Sequence, residues 1–240
     1  MKKLLLATIF SIAVISGHAQ EYYLTSPDGI LSAKISIHTD ASVELSNGNE
    51  LLFKLDEIDL LAVDGQLEGM KVKKSSNQSV SNTIIPVIRE KSASYPENYK
   101  ELSLAFKSDK ALTFRLYNEG LAYRFETSAK DSLTIIKENL RVQFHESDSA
   151  RYQSSQTFNS SYETPYEHDR FAEMSMDKLC NLPLLSEKQN GSLVMISESD
   201  LYNYPGLWLV NKGDAMLEGV HPTYPKTYKN SGSMVIGLFR

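Results

Sequence analysis

Leu31-Ser32-Ala33-Lys34-Ile35-Ser36-Ile37 puts an apolar side chain at every second position and a polar one between. Successive side chains of a strand point to opposite faces, so this period of two predicts a strand with one buried face. The pattern returns at Leu102-Leu104-Phe106, at Leu112-Phe114-Leu116, through Ala122 to Phe125, at Val142-Phe144, at Leu193-Met195 and from Val235 to Gly237. Turn formers separate the runs: Pro27-Asp28-Gly29, Ser46-Asn47-Gly48-Asn49, Asp64-Gly65, Asn118-Glu119-Gly120, Asn190-Gly191 and Lys212-Gly213-Asp214. Roughly a dozen or more short strands at this spacing predict an all-β antiparallel sandwich. No stretch carries a convincing helical stripe; Glu167 to Leu179 is the best candidate, and it is polar on most faces. Ser147 to Ser161, rich in Ser, Gln and Asn, reads as a loop. With no repeat, linker or charge block, one domain is expected.

The first residues read as an export signal. Lys2 and Lys3 precede an apolar run from Leu4 to Ile15, followed by Ser16-Gly17-His18-Ala19 with small residues before a cut after Ala19. The run is too short to span a bilayer comfortably. Residues 1–19 are therefore expected to be removed, leaving residues 20–240 periplasmic or secreted, with no membrane span after cleavage. Loss of Lys2 and Lys3 leaves 23 basic against 30 acidic side chains. That balance argues against nucleic acid as a partner, which needs clustered Lys and Arg. The single Cys180 excludes an internal disulfide and a cysteine zinc site. Ser233 to Arg240 reads as an apolar strand in mid-course, with the expectation that the domain is incomplete at its C-terminal end.

The densest polar and aromatic cluster is Ser197-Glu198-Ser199-Asp200-Leu201-Tyr202-Asn203-Tyr204-Pro205-Gly206-Leu207-Trp208, just after the β run Ser192 to Ile196. Carboxylate oxygens suit a hard cation such as calcium. Flat aromatic faces beside hydrogen-bonding groups suit a sugar ring. The same residues also make an ordinary turn, with Asp200 and Asn203 capping amides and Tyr204-Pro205-Gly206 bending the chain. Tyr162-Glu163-Thr164-Pro165-Tyr166-Glu167-His168-Asp169-Arg170 is a second polar and aromatic cluster, read as surface loop. His38, His145, His168 and His221 are scattered and show no ligand spacing.

At these residues the sequence resembles the N-terminal domain of glycoside hydrolase family 97. The specific stretches are Asn118-Glu119-Gly120-Leu121-Ala122-Tyr123-Arg124-Phe125 and Glu198-Ser199-Asp200-Leu201 running into Asn203-Tyr204-Pro205-Gly206. Leu24 to Gly29, Tyr162-Glu163 with Tyr166, and Leu182-Pro183-Leu184-Leu185 also match, less specifically. The resemblance implies an antiparallel β-super-sandwich, galactose-mutarotase-like, that packs on a catalytic (β/α)8 barrel not in this chain. It implies an α-glycosidase, with α-glucosidase favoured over α-galactosidase, acting on starch-type or α-galactoside oligosaccharides. It implies a calcium cofactor with Glu198 as one metal ligand, and Glu198, Asn203, Tyr204 and Gly206 lining the sugar pocket. No catalytic residue is expected within these 240 residues. Two other functions fit parts of the sequence. A stand-alone carbohydrate-binding module suits the Tyr-rich loops. A mutarotase-type epimerase would need paired histidines with a glutamate at one site.

Overall fold

The computed structural model describes residues 19–65, 67–128, 133–199, 201, 204–222, 227–231 and 234–238. Its regular elements are strands and two short 3-10 turns, Val63–Gly65 and Phe171–Glu173. The strands are β1 Gln20–Thr25, β2 Leu31–Ile37, β3 Ala41–Asn47, β4 Glu50–Ala62, β5 Val72–Ile84, β6 Tyr95–Phe106, β7 Lys110–Leu116, β8 Leu121–Thr127, β9 Ile135–Gln143, β10 Ser149–Tyr152, β11 Ser154–Ser155, β12 Glu167–Arg170, β13 Leu179–Cys180, β14 Leu184–Glu187, β15 Leu193–Ile196, β16 Trp208–Gly213, β17 Met216–Val220, β18 Thr227–Ser231 and β19 Met234–Leu238. The predicted export signal falls on residues outside this set, apart from Ala19.

All strand pairs are antiparallel. A nine-stranded sheet runs β1-β2-β3-β4-β9-β17-β16-β13-β11. Two four-stranded sheets run β5-β6-β7-β8 and β12-β10-β14-β15, and β18 pairs with β19. The all-β antiparallel prediction holds. In β2 the alternation reads out directly: Leu31, Ala33, Ile35 and Ile37 are buried and the residues between are not. They join Leu102, Leu104, Leu112, Phe114 and Leu116 of the β5–β8 sheet, and Ala150, Tyr152, Leu184 and Val194 of the third sheet, in one apolar cluster. Each fully buried Leu or Phe side chain contributes about 1.5–3 kcal/mol.

Three readings of the sequence change. Ser147 to Ser161 holds two strands, β10 and β11, rather than being loop throughout. The polar side chains that disguised them are satisfied locally: the Tyr152 hydroxyl donates to Asp169 at 2.6 Å, while Glu167 takes Lys178 and the Ser154 hydroxyl. Glu167 to Leu179, the best helical candidate, is instead β12, a 3-10 turn and the start of β13, so part of the second cluster is strand. In β15 the faces are the reverse of those expected: Val194 is buried, while Leu193 and Met195 are 61% and 64% exposed. The apolar run Ser233 to Arg240 contributes β19, which pairs with β18.

Two expectations follow. Phe114 is fully buried between the sheets. Phe114→Ala should cost about 3–5 kcal/mol, read as a shift in the urea unfolding midpoint at unchanged slope. Cys180 is buried, and burial pushes its thiol up to about 12. It should resist a disulfide reagent in the native protein at mildly alkaline pH and react at once after unfolding.

Candidate functional site

The site forms where two sheets and a loop meet. Strand β9 lies between β4 and β17; Val142 pairs with Leu55 on one side and with Leu217 on the other. Beyond the last β9–β17 pair, Arg141–Glu218, the chain leaves β17 and runs to His221, whose imidazole feels the Glu138 charge. On the far side β16 pairs Trp208 with Val220, so the chain just before β16 also arrives here. From the β5–β8 sheet, the Tyr123 hydroxyl donates to Glu138 Oε1 at 3.2 Å. Glu138, Tyr123, His221 and the loop after β15 thus converge from distant parts of the sequence.

Glu198 sits in that loop, half-buried. Its Oε2 accepts the Leu207 N–H at 2.8 Å. Burial raises its carboxyl above the ordinary value; the Leu207 amide opposes this and the Glu138 charge adds to it. Burial, followed by the nearby Glu138 charge, holds the Tyr204 phenol well above the usual range. Burial also raises the Tyr123 phenol strongly, with Glu138 again contributing. The Tyr204 and His221 rings meet edge to face at 5.7 Å. Burial lowers the His221 value and Glu138 opposes that. An uncharged imidazole, two neutral phenols and two carboxylates close enough to feel each other's charge leave an electronegative corner. A cation would relieve it.

Of the residues predicted from sequence, Glu198, Tyr204 and Gly206 come together here. Asn203, with Asp200 and Tyr202, lies outside the described residues. A methyl on Gly206 would meet Glu198 Oε1 at 3.4 Å, an ordinary contact, so space alone does not demand glycine there. Gly219 is tighter. A Cβ on it would meet Leu140 Cβ and Leu207 Cδ1, both at 3.1 Å, so its missing side chain lets Leu207 seat beside β17. Trp208 is only 3% exposed and packs against Phe158 and Tyr162, each with centroids 5.6 Å away. It anchors the end of the loop and offers no open face to a sugar.

Sequence reading missed Glu138, Tyr123 and His221. Tyr123 lay inside a quoted stretch, but nothing marked it as more than a strand residue. Glu138 had no signal at all, since its partners lie 15 or more residues away in sequence. His145 is held by Ser147 at 2.7 Å and His168 faces Glu187, so His221 is the histidine placed at this corner. That leaves the mutarotase-type reading without its second histidine among the described residues. Two clefts of about 360 and 660 Å³ lie elsewhere, around Asp28, Tyr99 and Asn118, and around Leu52, Phe144 and Lys188.

An all-β sandwich thus gathers Glu138 and Tyr123 from strands and Glu198 and Tyr204 from a loop at one corner. Residues 24–233 match the family described as Glycosyl-hydrolase 97 N-terminal, and the chain belongs to that family. It is 32% identical to a retaining alpha-galactosidase of Bacteroides thetaiotaomicron, over 97% of this chain and 37% of that protein. Its fold matches a glycoside hydrolase family 97 enzyme of Pseudoalteromonas sp. strain K8 solved with acarbose, with a TM-score of 0.72, 17% identity, and coverage of 85% of this chain and 32% of that one. A variant of that enzyme with panose matches at a TM-score of 0.71 and 17% identity, with the same coverage of each chain. The chain spans about a third of the length of these relatives.

Among the described residues no group of three or more Asp, Glu, His or Cys side chains could by itself hold a metal ion. Glu198 nevertheless suits calcium as one ligand of a shared set. It is a hard oxygen donor, half-buried, with one oxygen fixed by a backbone amide and a charge that burial leaves undercompensated. The hydrogen-bonding part of its carboxylate can be isolated by mutation. Glu198→Gln keeps an oxygen for Leu207 N–H and should leave the unfolding midpoint close to wild type. Glu198→Ala strands that amide and should cost about 1–3 kcal/mol in the same denaturation experiment.

Proposed function

We propose that this chain is the N-terminal part of an exported α-glycosidase, and that it lends Glu198 to a calcium site shared with a catalytic (β/α)8 barrel. Membership of the family and a 37% span of a whole relative support the division of labour. The observation that carries the role of Glu198 is its placement: a half-buried carboxylate tied to the Leu207 amide, in the loop beside β9 and within reach of the Glu138 charge. When bound, calcium would act as a Lewis acid and orienter beside the leaving group.

The protein's own residues do the rest. Glu198 would supply one oxygen ligand. Glu138, held by the Tyr123 hydroxyl, and the ring contact of Tyr204 with His221 would keep the Tyr204-Pro205-Gly206 bend in place. Asn203, Tyr204 and Gly206 would line the sugar pocket. The catalytic acid and its partner carboxylate would come from the barrel. Their separation would decide inversion or retention.

Sequence alone ranked α-glucosides ahead of α-galactosides. The 32% identity to an alpha-galactosidase, against 17% to the enzyme solved with acarbose and panose, weighs the proposal toward α-galactosides. The residues before Ala19 support placement in the periplasm or outside the cell, where imported oligosaccharides arrive.

The test is the full-length gene product assayed on aryl α-galactoside and aryl α-glucoside at varied calcium. Glu198→Gln should weaken the apparent calcium affinity by at least about tenfold while the protein stays folded. Unaltered calcium dependence and rate would show that Glu198 is not a ligand. Clear sugar binding by residues 20–240 alone would favour a stand-alone binding module.

A further inference from the structure

Strand β5 is an edge of a different kind from the others. The outer strands of the three larger sheets are short or charged. β11 has two residues and β15 four, β12 is Glu167-His168-Asp169-Arg170, β8 carries Arg124 and Glu126, and β1 carries Glu21. These are the usual guards against another strand adding to a sheet. β5 has 13 residues, and from Lys74 to Ile84 it pairs with β6 residue for residue, without a bulge. Its two charges, Lys73 and Lys74, sit at its start, and from Ser75 to Ile88 there is no charged side chain.

The far half of this hairpin also lacks support. β7 pairs with β6 only from Lys100 to Ala105, so Val80–Ile84 and Tyr95–Tyr99 form a two-stranded arm beyond the sheet. A two-stranded ribbon is marginal in water by itself. This one ends in an apolar tip, with Ile85 and Ile88 76% and 78% exposed and Val87 fully exposed.

We propose that β5 joins two copies of this chain, edge to edge and antiparallel, making a continuous eight-stranded sheet across a two-fold axis. This inference stands apart from the calcium site. In such a pairing one residue faces its own copy, and residues equally far before and after it face each other. A charge near the axis would oppose itself; the neutral stretch avoids this. Whichever of Gln78, Ser79 or Val80 lies on the axis, Lys73 and Lys74 face neutral residues between Asn82 and Val87 of the other copy. With Val80 on the axis, the run from Ile84 to Ile88 lies beside Ser76 to Val72 of the other copy, and the apolar tip leaves water. The edge thus fits itself in charge and in length.

Sedimentation velocity of the purified full chain over micromolar concentrations tests this. The wild type should run as a dimer. Gln78→Lys with Val80→Lys opposes like charges for each of the three axes and should weaken the dimer by at least about tenfold. Gln78→Thr with Val80→Thr, neutral and strand-favouring, should keep it. Thermal melts of both variants confirm that each is folded. A wild type that stays monomeric up to about 100 μM overturns the proposal and leaves the arm to a partner of different sequence. So does a folded lysine variant that dimerises as well as wild type.

Discussion

The β4–β9–β17 ladder is the constraint on which the rest of the structure depends. β9 is the only strand joining the N-terminal hairpins β1–β4 to the later strands β17, β16, β13 and β11 within the nine-stranded sheet. A strand has one side chain per position and alternates faces, so a slip of one residue would turn every buried side chain of β9 outward. Leu140 and Val142 hold the register by burial. Glu57, with positive φ, and the shift between Asp56 and Asp59 take up the mismatch in β4. Because the register is fixed there, Glu138 is held where the Tyr123 hydroxyl reaches it and where its charge acts on His221.

A second link ties the sheets face to face. Lys110 of β7 reaches across to Asp59 of β4, with its side chain wholly enclosed and the Leu60 carbonyl as a further acceptor. An enclosed ion pair gains little net stability, because desolvating both charges offsets most of their attraction. Its value here lies in alternatives denied: any other offset of the β5–β8 sheet over β4 would bury one of these charges unpaired, at about 3–5 kcal/mol. Apolar burial gives the sandwich its stability and this pair helps choose its alignment. The same alignment puts Tyr123, on the neighbouring strand, within reach of Glu138.

How legible this was in the sequence depended on the range of the interaction. β2 and β7 were plain, because alternation is a local signal and their core face is apolar. β10 and β11 were hidden, because their side chains satisfy one another through Tyr152, Asp169, Ser154 and Glu167, and a self-satisfied polar strand looks like a loop. β15 was found with its faces exchanged: with Val194 inside and two apolar neighbours outside, the pattern fits either face. Glu198 stood out only through its resemblance to a family motif, since a lone carboxylate in a turn-rich stretch has a mundane role available. Glu138 was silent, because its importance lies entirely in what long-range pairing sets beside it.

The corner around Glu198 also shows how a loop can be held firmly enough to present a ligand. Loops are mobile by default, and a site placed on one needs support from rigid elements. Here the support comes from both ends and the middle. Trp208, clamped by Phe158 and Tyr162, fixes the point where the loop enters β16. The Leu207 amide, one residue earlier, fixes Glu198 Oε2, and the Leu207 side chain reaches the space that Gly219 leaves open. Tyr204 seats its ring edge to face on His221, with Glu138 of β9 close enough to act on both. The tryptophan that looked like a sugar platform thus serves as an anchor. The carboxylate the loop presents, Glu198, carries a charge that its burial and the neighbouring Glu138 both disfavour.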